Sequence, residues 1–147
     1  MFKHIMVATD LSEGARNATI KAVQIAHQFN SKITILNVHE EFMDKEEMEM
    51  LRVSVREVQE KFREIALEAK SEIKTLLTEL QANDIETDVL LREGTPSNEI
   101  LKIAKELKID LIVMGTKGKD TLYELIIGST AKDVTRSSHC PVLTVPS

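Results

Sequence analysis

Cysteine is almost missing from this sequence: Cys140 is the only one in 147 residues. A lone thiol excludes an internal disulfide, and no Cys/His cluster has zinc spacing. Cys140 sits beside an expected strand, so it reads as a small buried core residue, not a nucleophile. Surplus positive charge is also lacking. With 19 Lys and Arg against 24 Asp and Glu the net charge is −5, which argues against a general nucleic-acid binder. No apolar run approaches the ~18 residues of a membrane span. Met1-Phe2-Lys3-His4 leads straight into an apolar stretch too short for a signal peptide. The expectation is a soluble cytoplasmic protein with neither membrane nor nucleic acid as partner.

Glycine is scarce too, and its placement is informative. Of the five glycines, three fall between Asp110 and Val134: Gly115, Gly118 and Gly128. They follow the apolar run Leu111 to Met114 and precede a helical pattern that opens at Ser129. Glycine between a strand and a helix permits φ > 0 and lets a ligand approach where no Cβ intrudes. A helix starting near Ser129 offers unpaired N–H groups and a positive dipole end, which suit phosphate. The plainer alternative is a tight turn at Gly115 and a simple helix start at Gly128. Neither a Walker loop nor the Gly-x-Gly-x-x-Gly fingerprint occurs.

What is present is an ordinary globular composition, 42% hydrophobic and 29% charged, at a length that suits one domain spanning 1–147. Ile5 to Thr9 is a short apolar run of the kind buried on both faces of a sheet. Ser12 then caps a helix with apolar positions Ala15, Ala18, Ala22, Val23, Ala26 and Phe29, stopped by Asn30. Ile33 to Val38 is the second strand, which makes a βαβ unit with a right-handed crossover. From Glu41 to Gln81 an apolar stripe at steps of three and four marks helix. That segment holds eleven acids against seven bases, four of the five net negative charges. Unbroken, ~35 helical residues would run ~50 Å, longer than such a domain is wide. The helix is therefore expected to break, or its first part to project, with Met48 to Val58 as a candidate interaction surface.

Glu86 to Leu91 supplies the third strand. Thr95-Pro96 starts a helix with proline at its first position, followed by Leu111 to Met114 as strand, Gly128 to Ser137 as helix and Pro141 to Val145 as strand. Strands alternate with helices throughout. The expected fold is a doubly wound α/β domain, a five-stranded parallel sheet with helices on both faces.

Gly115-x2-Gly118-x9-Gly128-Ser129 resembles the nucleotide-binding motif of the universal stress protein family. The resemblance extends over nearly the whole chain, through Thr9-Asp10, Gly94-Thr95-Pro96 and Cys140-Pro141-Val142. It implies strand order 3-2-1-4-5 and membership of the ATP-binding subgroup, which keeps these glycines. Ligands of open α/β sheets sit where the strand order reverses, here between strands one and four. Carried over, the resemblance puts Ala8, Thr9 and Val38 around adenine, and Met114 and Gly115 beside base and ribose. Asp10 would accept from ribose hydroxyls, the alternative being a cap on the first helix. Gly118, Gly128, Ser129 and Thr130 would donate to phosphates. Two positions depart from the pattern. Lys117 stands where many relatives have His or Arg, and gives charge without a bidentate fork. Thr121 replaces another glycine, which stiffens the loop.

ATP, with Mg, is the expected ligand, in a stress-response or signalling module that hydrolyses it slowly or not at all. The competing reading is a true ATPase or nucleotidyl-transfer enzyme on the same site. Hydrolysis needs a group that orients water and one that stabilises developing charge. The loop offers Lys117 and Lys119, with Asp120 or Glu124 readable as magnesium ligands or as solvated charges. No serine–histidine–acid order is legible, and His39, at a strand end, reads as a bystander. A phosphoacceptor receiver domain would end strand three in aspartate, whereas this one ends Arg92-Glu93-Gly94. A homodimer is expected through the apolar edge strand Val142 to Val145, a pairing the resemblance also implies.

Overall fold

The computed structural model describes residues 1–40, 45–117 and 127–147. Its elements run β1 (His4–Thr9), α1 (Glu13–Phe29), β2 (Lys32–His39), α2 (Lys45–Met50), α3 (Val55–Glu79), β3 (Thr87–Glu93), α4 (Pro96–Glu106), β4 (Leu111–Gly115), α5 (Ser129–Ser137) and β5 (Val142–Val145). The five strands form one parallel sheet in the order β3-β2-β1-β4-β5. Helices pack on both faces, as expected.

Alternation along each central strand builds two cores. Ile5, Val7, Ile33, Ile35, Leu111 and Val113 face α1 and α3. Met6, Ala8, Leu36, Ile112 and Met114 face α4 and α5. Because β1 and β4 are covered on both sides, each carries an unbroken apolar run, Ile5 to Ala8 and Leu111 to Met114. Alanines at 18, 22 and 26 let α1 lie close to the sheet. Ser12 caps that helix by accepting from Ala15 N (3.2 Å), and Asn30 ends it at φ 54°. At the sheet's other end, His4 Nε2 meets Thr34 Oγ1 at 2.7 Å. Burial, then the nearby Lys32 charge, lowers the His4 pKa.

The long helical stripe does break. Arg52 takes φ 55°, and Ser54 starts α3 afresh. Its hydroxyl accepts from Glu57 N (3.2 Å) while Glu57 Oε2 accepts from Ser54 N (3.0 Å), a reciprocal capping box. The third strand runs on to Glu93, past the expected Leu91, because Arg92 and Glu93 still pair with Val38 and His39. Cys140 is half-buried and not a full core residue. It packs at the margin of the α4/α5 core, and its N–H donates to Ser138 Oγ at 3.1 Å.

Candidate functional site

The chain builds outward from β1 to β3 on one side, then restarts at β4 on the other. Above this reversal, at the C-terminal ends of the strands, lies a cavity of about 400 Å³. Strand β1 brings Ala8 and Thr9 to it, with Asp10 just beyond, and β2 brings Val38. Strand β4 contributes Met114 and Gly115, and Lys117 follows two residues on. Gly128, Ser129 and Thr130 line it from the start of α5. These sequence-derived candidates therefore share one cavity. Gly118, with Lys119, Asp120, Thr121 and Glu124, lies outside the described residues.

The turn after β1 is tight. Thr9 Oγ1 accepts from Leu11 N (3.1 Å) and Asp10 Oδ1 accepts from Ser12 N (3.0 Å). Leu11 is held at φ 65°, a left-handed conformation that costs a branched residue roughly 1–2 kcal/mol. Asp10 thus braces the turn ahead of α1 while lining the cavity; the cap itself, its alternative reading, is supplied by Ser12.

Gly115 is required for a reason its sequence context does not reveal. It does not take a positive φ; among the described glycines Gly94 does, at 148°. A Cβ on Gly115 would stand 3.0 Å from the Gly14 carbonyl carbon, 3.2 Å from its oxygen and 3.4 Å from Ala15 N. Those atoms are backbone and cannot swing aside. The glycine therefore lets the start of α1 abut the end of β4, closing the cavity floor.

Two helices open onto this cavity, and neither has a side-chain cap. Gly128 is the N-cap of α5 and has no side chain to offer, while Thr95 precedes α4 without making a cap hydrogen bond. Helices α1 and α3, by contrast, are capped by Ser12 and Ser54. First-turn N–H groups have no acceptor within their own helix, so α5 directs both donors and its positive dipole end toward the cavity. The stem of the loop before α5 is fixed: Gly128 N donates to Thr116 O at 2.7 Å and Thr116 N to Val145 O at 3.2 Å.

Leu11, His39, Glu40, Pro96, Ile100 and Thr116 also line the cavity without having been singled out as site residues. Pro96 and Ile100 were legible in principle, since Gly94-Thr95-Pro96 marks a helix start at a strand end. His39 was read as a bystander. The residue lines the cavity, while its ring packs edge-to-face on Phe62 of α3, centroids 6.0 Å apart. Asn37 Nδ2 donates to Thr9 O (2.8 Å), tying the ends of β2 and β1 together. Among the described residues no group of three or more His, Cys, Asp or Glu gathers as a metal site, and no helix is long and apolar enough to cross a membrane.

A universal stress protein of Methanocaldococcus jannaschii is 35% identical over 147 residues, 99% of this chain and 82% of that protein. Universal stress protein UspA from Lactobacillus plantarum shares the fold with a TM-score of 0.83, at 24% identity over 98% of this chain and 97% of its own. A universal stress protein solved in complex with cAMP is 26% identical with a TM-score of 0.65, covering 98% of this chain and 97% of that one. The model of the universal stress protein family matches residues 1–146. By sequence from end to end, and by the strand order that sets the cavity at β1 and β4, this chain belongs to the universal stress protein family.

Proposed function

We propose that this chain binds an adenine nucleotide, ATP foremost, in the cavity at the ends of β1 and β4, and acts as a stress-response or signalling module. The observation that carries this reading is the uncapped N-terminus of α5 opening onto a cavity of about 400 Å³. That volume falls within the ~300–1,000 Å³ typical of small-molecule sites. The cAMP complex of a relative supports the same ligand class. In this reading Ala8, Thr9 and Val38 surround the base and Met114 and Gly115 flank base and ribose. Asp10 accepts from the ribose, a role compatible with its turn contact because a carboxylate has lone pairs to spare. Ser129 and Thr130 take the phosphates together with Gly118, Gly128 and Lys117. A magnesium ion would travel on the phosphates, supplying charge neutralisation there. Residues 1–147 form a single nucleotide-binding domain in this reading.

Hydrolysis is slow or absent in this proposal. Backbone donors at a helix start hold ground state and transition state about equally, and uniform binding does not accelerate chemistry. A bound nucleotide instead shifts the chain toward the conformer it binds more tightly, by its differential affinity for the two states. The clamp from Thr116 to Val145 gives that shift a path to β5. Edge strand β5 (Val142–Val145) is half-exposed. We place a homodimer contact along it, which sedimentation resolves from a monomer.

The test is calorimetric titration with ATP, ADP, AMP and cAMP, beside mass spectrometry of nucleotide carried through native purification. Gly128→Val should weaken ATP binding at least ~10-fold, about 1.4 kcal/mol, with an unchanged circular dichroism spectrum. A folded variant that binds ATP as the parent does would overturn the site. Single turnover with Mg near 1 s⁻¹, within the ordinary enzyme range, and lost in Lys117→Ala, would favour the ATPase.

A further inference from the structure

The α1/α3 side of the sheet holds a second cavity, of about 570 Å³. Its origin is in the sequence. Toward α1, helix α3 presents Ser71 and Thr75, one turn apart, where a packing stripe would carry large aliphatics. From α1 the facing residues are Ser12, Arg16 and Thr19. The serines and threonines are too short to fill the space between the helices and Arg16 reaches away to the rim, so a groove remains that reaches down to Ile35 and Ile73.

The walls are less polar than their composition. Thr75 Oγ1 donates to Ser71 O (3.0 Å) and Thr19 Oγ1 to Ala15 O (2.9 Å), while Ser12 Oγ caps Ala15 N. These three hydroxyls are turned to nearby backbone, which leaves the Thr75 methyl and the Leu11 and Leu76 side chains to face a ligand. The rim is charged. Arg16 Nη2 and Glu79 Oε2, 3.2 Å apart, join α1 to α3 and cancel. Glu13 and Glu72 remain on the rim, and neither forms an ion pair among the described residues. An apolar trough with two surplus carboxylates at its mouth selects an apolar body with a cationic head and disfavours a phosphate.

We infer that the groove between α1 and α3 is a second ligand site, distinct from the strand-end cavity, for a small amphipathic organic cation such as an alkylammonium. The inference does not depend on the nucleotide reading.

Three probes with one tail and different heads test it: octylammonium, octanol and octanoate. Each is titrated below its micellar concentration into the full chain and followed by methyl NMR. Octylammonium should saturate with shifts at Ile35, Ile73 and Leu76, at least ~10-fold tighter than octanoate, with octanol between. Glu72→Gln, an exposed change that leaves packing intact, should reduce the preference of octylammonium over octanoate at least ~3-fold. Ser71→Phe should fill the trough and abolish binding of all three. The inference is overturned by failure of octylammonium to saturate, or by shifts that map to the strand-end cavity. Equal affinity for the three heads, or a preference untouched by Glu72→Gln, would overturn it as well.

Discussion

On the α4/α5 side of the sheet, short helices press large aliphatic residues onto the strands, yet their N-termini are left open. On the α1/α3 side the helices are longer and individually capped; α1 lies close on the sheet and buries seven of its 17 residues, while α3 sits loosely beside it. Helix α4 buries four of its 11 residues, Ser97, Ile100, Ile103 and Ala104. Helix α3 buries two of 25, Ala69 and Ile73. The difference is one of where stability is drawn from. A helix with a capping box and 25 residues gains much of its order locally, so it can tolerate a loose fit. A helix of nine or 11 residues depends on tertiary contact. Capping also bears on the proposed function, because a cap occupies the donors an anion would use. The N–H groups of α5 are free for a ligand because Gly128 supplies no side chain to take them.

The largest effect should come from contrasting the two faces directly. Ile103→Ala, on a side chain 4% exposed, should cost about 2–5 kcal/mol. Leu67→Ala, on an α3 side chain 63% exposed, should stay within about 0.5 kcal/mol. Urea unfolding of both variants measures the pair, and equal losses would erase the distinction between packed and loose faces.

Gly115→Val should break the point where the two faces meet. Its Cβ would meet Gly14 backbone at 3.0 Å, so α1 must retreat from β4. The expected cost is about 1–3 kcal/mol, accompanied by weakened ATP binding. Thermal unfolding and calorimetry on the same variant check both, and full stability would show that α1 shifts freely.

The smallest effect sharpens the role of capping. Ser54→Ala removes the hydroxyl that accepts from Glu57 N and should cost about 1 kcal/mol. Hydrogen exchange should quicken in the first turns of α3, while nucleotide affinity stays at the parent value. A matching loss of affinity would mean that α3 bears on the strand-end cavity, through Phe62 and His39.

Much of this was legible from local pattern. Each strand was a short apolar run bounded by polar or turn residues. Ser12 and Asn30 bracketed α1, and Pro96 marked the start of α4. The glycines at 115 and 128 pointed to a site between β4 and α5, and Asp10 joined it once the strand order followed from the family resemblance. A break in the long stripe, or a projecting first part, was anticipated from length alone; its position at Arg52, with the Ser54/Glu57 capping box behind it, came only from the structure.

The switch point came with the strand order that the family resemblance implied. Element order and helix ends follow from periodicity and turn chemistry, which act over a few residues and can be read along the chain. The reason for Gly115, the approach of Pro96 and Ile100 to the cavity, and the trough between α1 and α3 cannot. Each is a distance between segments remote in sequence: Gly115 against Gly14, α4 against β1, Ser71 and Thr75 against Arg16 and Thr19. Packing sets such distances cooperatively, because every side chain's space is what its neighbours leave. That space exists only once the sheet has assembled and the helices have settled on its two faces.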